Sequence, residues 1–135
     1  MKKVLLLSII LLTQACTHSY YINVEKPIKR ENVAKLNFSN FFKITKVDGK
    51  PFNLKFGTPD TQHVMYLTPG EHTISTRYNS RTTGGFNPSV GYVLKKEARV
   101  NHYFEAGKEY RFMVKIDPIW NKISFYFKDL SENND

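Results

Sequence analysis

Residues 67–78 read LTPGEHTISTRY, and the reading of this stretch decides the fold. Thr68-Pro69-Gly70-Glu71 is a four-residue turn. Pro69 presets φ near −65° at the first central position, and Gly70 supplies the positive φ that a type II turn requires at the second. Beyond the turn, Ile74, Thr76 and Tyr78 alternate with Thr73, Ser75 and Arg77. A period of two is that of a strand with one face buried. With His63–Leu67 leading in and His72–Tyr78 leading out, the unit reads as a hairpin.

The same grammar extends in both directions. Upstream, Ala34–Phe38 places Leu36 and Phe38 on one face, and Phe42–Val47 runs into Asp48-Gly49. Asp-Gly favours a type I′ turn, because both central residues need positive φ. Pro51–Phe56 then returns with Phe52, Leu54 and Phe56 on one side. Downstream, Asn79–Val90 is a long connection containing Gly84-Gly85 and Pro88, a length often associated with function. Tyr92–Glu97 and Ala98–Phe104 follow, and Glu105-Ala106-Gly107-Lys108 turns the chain. Glu109–Ile116 puts Tyr110, Phe112, Val114 and Ile116 inward, with Arg111, Met113 and Lys115 outward. Asp117-Pro118 breaks that run, and Lys122–Lys128 ends the pattern with Ile123, Phe125 and Phe127 on one face.

Short alternating runs separated by turn residues predict an all-β domain. The expected architecture is an antiparallel β-sandwich of immunoglobulin-like or transthyretin-like proportions over residues 33–130, with a small barrel as the alternative. Residues 16–32 read as a tether, although Tyr20, Tyr21, Ile22 and Val24 could form a docking strand. Residues 131–135 read as a frayed acidic tail.

The chain has 135 residues, a formal charge of +8 and a single cysteine, Cys16. One thiol permits no internal disulfide, so packing must stabilise the domain, and 10 Phe and 8 Tyr are available for it. The basic residues are dispersed. They favour solubility, or contact with anionic lipid heads, acidic glycans or an acidic protein.

Cys16 closes the opening stretch MKKVLLLSIILLTQAC. Lys2 and Lys3 precede an apolar run, Val4–Leu12, and the small Ala15 stands before the cysteine. This is the order of a secretory signal, and the run is about half of the roughly 20 residues a transmembrane helix needs. The stretch resembles a bacterial lipoprotein signal: Ala15 and Cys16 match the lipobox, whereas Thr13 and Gln14 differ from its common form. The resemblance implies cleavage after residue 15 and a diacylglyceryl group and acyl chains on Cys16. With Thr17 rather than Asp after the cysteine, it implies the outer membrane, facing the periplasm. Nucleic acid is not an expected partner in that compartment.

LTPGEHTISTRY and FEAGKEYRFMVKI (Phe104–Ile116) carry a second resemblance, to small periplasmic β lipoprotein domains and PEGA-type surface domains. It implies a fold and transfers no catalytic residue.

No motif for chemistry emerges. His18, His63, His72 and His102 show no paired metal-ligand spacing, although His63 and His72 flank one turn. Asp60, Glu71 and Asp117 accompany no G-x-S-x-G elbow, and Thr83-Gly84-Gly85 lacks the Lys-Ser/Thr of a phosphate loop. Neither a metal, a cofactor nor catalysis is expected. Contact residues are sought among Arg77, Arg81, Phe86, Tyr92 and Trp120. Arginine beside aromatic residues suits a protein or glycan interface. Phe86 reads equally as a contact or as packing, and Trp120 reads more readily as a plug at one end of the sandwich. The function expected is that of a non-catalytic, lipid-anchored module that binds an envelope protein. Binding of glycan or anionic lipid through residues 79–92 is the alternative, and an unrecognised hydrolase stands behind both.

Overall fold

The computed structural model describes residues 17–55, 61–80, 92–93, 97–117, 119–120 and 122–132. The chain is all-β, with two sheets packed as a sandwich. Sheet A contains β1 (Thr17–Ile22), β2 (Ala34–Ser39), β5 (Gln62–Leu67), β9 (Glu109–Asp117) and β10 (Lys122–Asp129), in the order β1-β5-β2-β9-β10. Sheet B contains β3 (Phe42–Val47), β4 (Lys50–Pro51), β6 (Gly70–Ser80), β7 (Tyr92–Val93) and β8 (Ala98–Phe104). There β3 lies on one side of β6, and β7 and β8 follow each other along its other side.

The alternating positions meet between the sheets. Leu36, Phe38, Met65, Leu67, Tyr110 and Phe112 of sheet A pack against Phe42, Ile44, Ile74, Tyr78 and Phe104 of sheet B. Phe112 stacks on Phe127 at 4.7 Å and meets Phe42 at 4.5 Å. Burying a Leu, Ile or Phe side chain contributes roughly 1.5–3 kcal/mol, so this aromatic layer is a dominant favourable term in a domain with no disulfide.

Three expectations about connectivity are corrected. The Thr68–Glu71 turn does not close a hairpin: β5 belongs to sheet A and β6 to sheet B, so the chain arches across the core. The Glu105–Lys108 turn, between β8 and β9, does the same. Alternation reports which face is buried, not which neighbour a strand pairs with. The Asp48-Gly49 turn is a true hairpin, with φ of 52° and 76° and Val47 opposite Lys50. Second, sheet A is mixed: β1 runs parallel to β5, and β2 parallel to β9. Third, of the two readings of residues 16–32, the docking strand and not the tether holds over Thr17–Ile22, with Tyr20 and Ile22 turned into the core.

The return strand expected over Pro51–Phe56 is confined to Lys50–Pro51. The Phe52 N–H still donates to the Thr45 carbonyl of β3 at 2.9 Å, and the chain then crosses toward β1, where the Lys55 N–H donates to the Tyr20 hydroxyl at 3.0 Å. Phe52 and Leu54 still pack against the core, and Phe56 lies outside the described residues.

The topology defines two poles. Thr17, Ser39 and Gln62 share a level at one pole, where Asn40-Phe41 links the sheets. Tyr78 of β6 lies opposite Phe42 at this pole, and the β9–β10 hairpin points the same way, because β9 is parallel to β2. Ile22, Val47, Leu67 and Phe104 lie toward the other pole.

Candidate functional site

The outward face of sheet B carries a polar hollow. Lys46, Ser75 and Arg99 stand side by side across β3, β6 and β8, and Thr73 pairs with Asn101 in the next row. A bulge at Thr45 shifts the β3 register here, an insertion that bends a strand and re-aims its side chains. Ser75, only 2% exposed, is the small residue at the centre of the row. Lys46, Asp48, Gly49, Thr73, Ser75 and Arg99 line a hollow of about 470 Å³.

Its charges are set by a few contacts. The Thr45 hydroxyl donates to Glu97 Oε2 at 2.8 Å, and Lys46 Nζ stands 3.8 Å from Glu97 Oε1. The Thr45 hydrogen bond, with Lys46, Arg99 and Arg77 nearby, holds the Glu97 carboxyl below its usual range against the effect of burial. Asp48 is engaged on both oxygens, accepting the Thr73 N–H at 2.9 Å and meeting His72 Nδ1 at 2.6 Å. The other nitrogen, His72 Nε2, donates to the Thr68 carbonyl at 2.7 Å. With an acceptor against each nitrogen, the ring clamps the Asp48 turn to the Thr68 arch.

Arg77 and Arg99 make no ion pair among the described residues, and neither does Lys43, which lies directly opposite Arg77. Tyr103, 63% exposed, extends the face along β8. Around sheet A several charges are paired, although Arg111, Lys115, Lys122 and Lys128 make no ion pair among the described residues. There Arg30 and Lys35 pair with Glu109, Asn37 donates to the same carboxylate, and Lys108 bridges Glu105 and Asp129. Of the three described guanidinium groups without an ion pair, Arg77 and Arg99 lie on sheet B and Arg111 on sheet A.

A second feature is the tip of the β9–β10 hairpin. The Asp117 carboxylate accepts the N–H groups of Ile119 and Trp120 at 3.0 and 3.3 Å, fixing the turn. Ile119 is 82% exposed and Trp120 79%. The expectation that Trp120 plugs the sandwich is corrected: the hairpin runs past the end of the core and leaves that side chain no sheet to cover.

The histidines do not converge on a metal. His63 is fully buried in sheet A, where Nε2–H donates to Asn40 Oδ1 and Nδ1 accepts from the Tyr20 hydroxyl at 3.1 Å. His72 faces the core from sheet B, and His102 lies against Phe104, Tyr110 and Phe127. Among the described residues no three His, Cys, Asp or Glu side chains are grouped to hold a metal ion.

Of the residues singled out from sequence, Arg77 lies on the sheet B face, in the row next to Lys46–Ser75–Arg99. Tyr92 opens β7, opposite Ser80. Trp120 occupies the hairpin tip at the pole toward which Arg77 and Tyr92 lie, and the structure does not join it to Arg77 in one site. Cys16, Arg81 and Phe86 lie outside the described residues. Sequence reasoning missed Lys46, Arg99 and Tyr103. The outward alternation of Arg99, Asn101 and Tyr103 was a usable signal, but their meeting with Lys46 depends on strand pairing. No helix among the described residues is long and apolar enough to cross a membrane. Compared with known proteins, the chain matches no family model, no curated protein and no solved structure.

Proposed function

We propose that this chain is a non-catalytic, lipid-anchored module of a bacterial envelope. It is held through Cys16 on the periplasmic side of the outer membrane and binds an envelope protein through the outward face of sheet B. The observation that carries the binding surface is the pair Arg77 and Arg99, free of ion pairs among the described residues and flanked by Lys43, Lys46 and exposed Tyr103. Arginine and tyrosine dominate binding energy at interfaces, and a basic face favours an acidic partner surface. The non-catalytic part of the proposal is supported by the roles of the polar side chains: His63 and His72 are each engaged in holding strands and turns together. The test places a photocrosslinking amino acid at Tyr103 and, as a control on sheet A, at Tyr126 in living cells. A discrete adduct at 103 that disappears with Arg77→Glu/Arg99→Glu is expected. Equal adducts at both positions, or none at 103, would contradict it.

The hollow around Ser75 favours a second reading, an acidic glycan. Arg99 and Lys46 would take the anionic group, and Thr73 and Asp48 the sugar hydroxyls. Calorimetric titration with tetragalacturonate against neutral maltotetraose separates it from the first, since only this reading predicts saccharide binding that depends on Arg99.

A further inference from the structure

The pole that receives the chain from Cys16 also presents the most exposed apolar side chains among the described residues. Thr17, the residue after Cys16, is level with Gln62 and Ser39. Continuing the β2–β9 register from Asn37 and Arg111 brings Met113 to that level. Asp117 then stands about 13 Å further out, at about 3.3 Å per residue. Ile119 and Trp120 are held there by the Asp117 carboxylate, and Phe41, 45% exposed, lies in the turn at the same pole.

Charge follows the same axis. Lys43, Arg77, Arg111, Lys115 and Lys122 lie in the half toward this pole, where the described acids are Glu97 and Asp117. The opposite half is mixed, with Asp48, Glu71, Glu105, Glu109 and Asp129 set among Lys35, Lys46, Lys50, Lys108 and Lys128, so the excess of positive charge lies toward the Thr17 pole. We propose that the β9–β10 tip is a second membrane contact: Ile119 and Trp120 enter the interfacial zone of an anionic bilayer while Lys115 and Lys122 meet its phosphate groups. This deepens the anchoring reading and rests on it for orientation.

The physical reasons are general. Tryptophan concentrates at the membrane–water interface, because its ring is apolar and its N–H is polar. Interfacial segments bury their apolar side chains about 5–10 Å deep, comparable to the reach of this tip beyond Thr17. Basic residues near the surface are attracted to anionic headgroups. A hairpin tip fixed by its own carboxylate enters without first having to be ordered.

Trp120 is the only tryptophan in the chain, so its fluorescence reports the tip alone. The protein isolated from membranes is reconstituted into vesicles of phosphatidylethanolamine and phosphatidylglycerol, with and without brominated acyl chains. Flotation with the vesicles reads the anchor, and quenching of Trp120 reads the tip. The expected result is flotation with a blue-shifted emission that brominated lipid quenches severalfold, and Ile119→Asp restores most of the emission. Flotation with a water-exposed, unquenched Trp120 overturns the tip proposal and leaves the anchor standing. A chain that fails to float overturns the anchor. Its tip is then read by adding it to the same vesicles, where quenching supports the proposal and none overturns it. A Trp120 shielded from aqueous quencher in native membranes but open in protein-free vesicles assigns the tip to a protein and also overturns the proposal.

Discussion

The Tyr20 hydroxyl meets His63 Nδ1 at 3.1 Å across the parallel β1–β5 pair. That oxygen also accepts the Lys55 N–H at 3.0 Å. One phenol thus ties the first strand, the fully buried histidine and the segment leaving β4. Tyr20→Phe keeps the ring and its packing on Phe52 at 4.9 Å but leaves two polar groups without this partner. The expected cost is about 1–3 kcal/mol, the usual penalty for an unsatisfied buried group. Urea denaturation checks this through a lower midpoint at unchanged slope.

Burial lowers the His63 pKa, and His18 lowers it further; burial also lowers that of His102, against an opposing effect of Asp129. In the unfolded chain both protonate near pH 6.5. Below that value the unfolded state binds more protons than the folded one, so these rings remove stability as pH falls. The urea midpoint is expected to drop between pH 7.5 and 5, and to drop less in His63→Gln. A midpoint that rises over this range would refute the assignment.

Gly49 has φ of +76°, and a Cβ added there would meet nothing within 4 Å. Gly49→Ala is therefore a test of backbone strain alone. About 1–2 kcal/mol is expected, the cost of placing an L side chain in the left-handed region. A neutral result by thermal or urea unfolding would mean that the Asp48-Gly49 turn relaxes to another conformation.

Arg99 is exposed and makes no ion pair among the described residues. Arg99→Glu should leave stability within about 0.5 kcal/mol, as surface substitutions usually do. It should nevertheless abolish the Tyr103 photoadduct. A large loss of stability would move Arg99 from recognition to structure.

Much of the strand content is legible locally. The alternation of Tyr110, Phe112 and Val114, the Asp48-Gly49 turn and the inward Ile74, Thr76 and Tyr78 are each visible in a few consecutive residues. Pairing is not. Nothing near Thr17–Ile22 announces a parallel partner 45 residues away at Gln62–Leu67. An arch and a hairpin also share the same Pro-Gly chemistry. The candidate surfaces are hidden for the same reason. Lys46, Ser75 and Arg99 become neighbours only through β3, β6 and β8, and the shared pole of Thr17 and Trp120 follows from two parallel pairings.

The central claim is that Cys16 is the mature N-terminus and carries lipid. Intact-mass spectrometry of the protein purified from its native membrane tests it most directly. The account predicts a chain beginning at Cys16 with the added mass of a diacylglyceryl group and an N-acyl chain. A chain that retains residues 1–15, or one with a free Cys16 thiol, would contradict it.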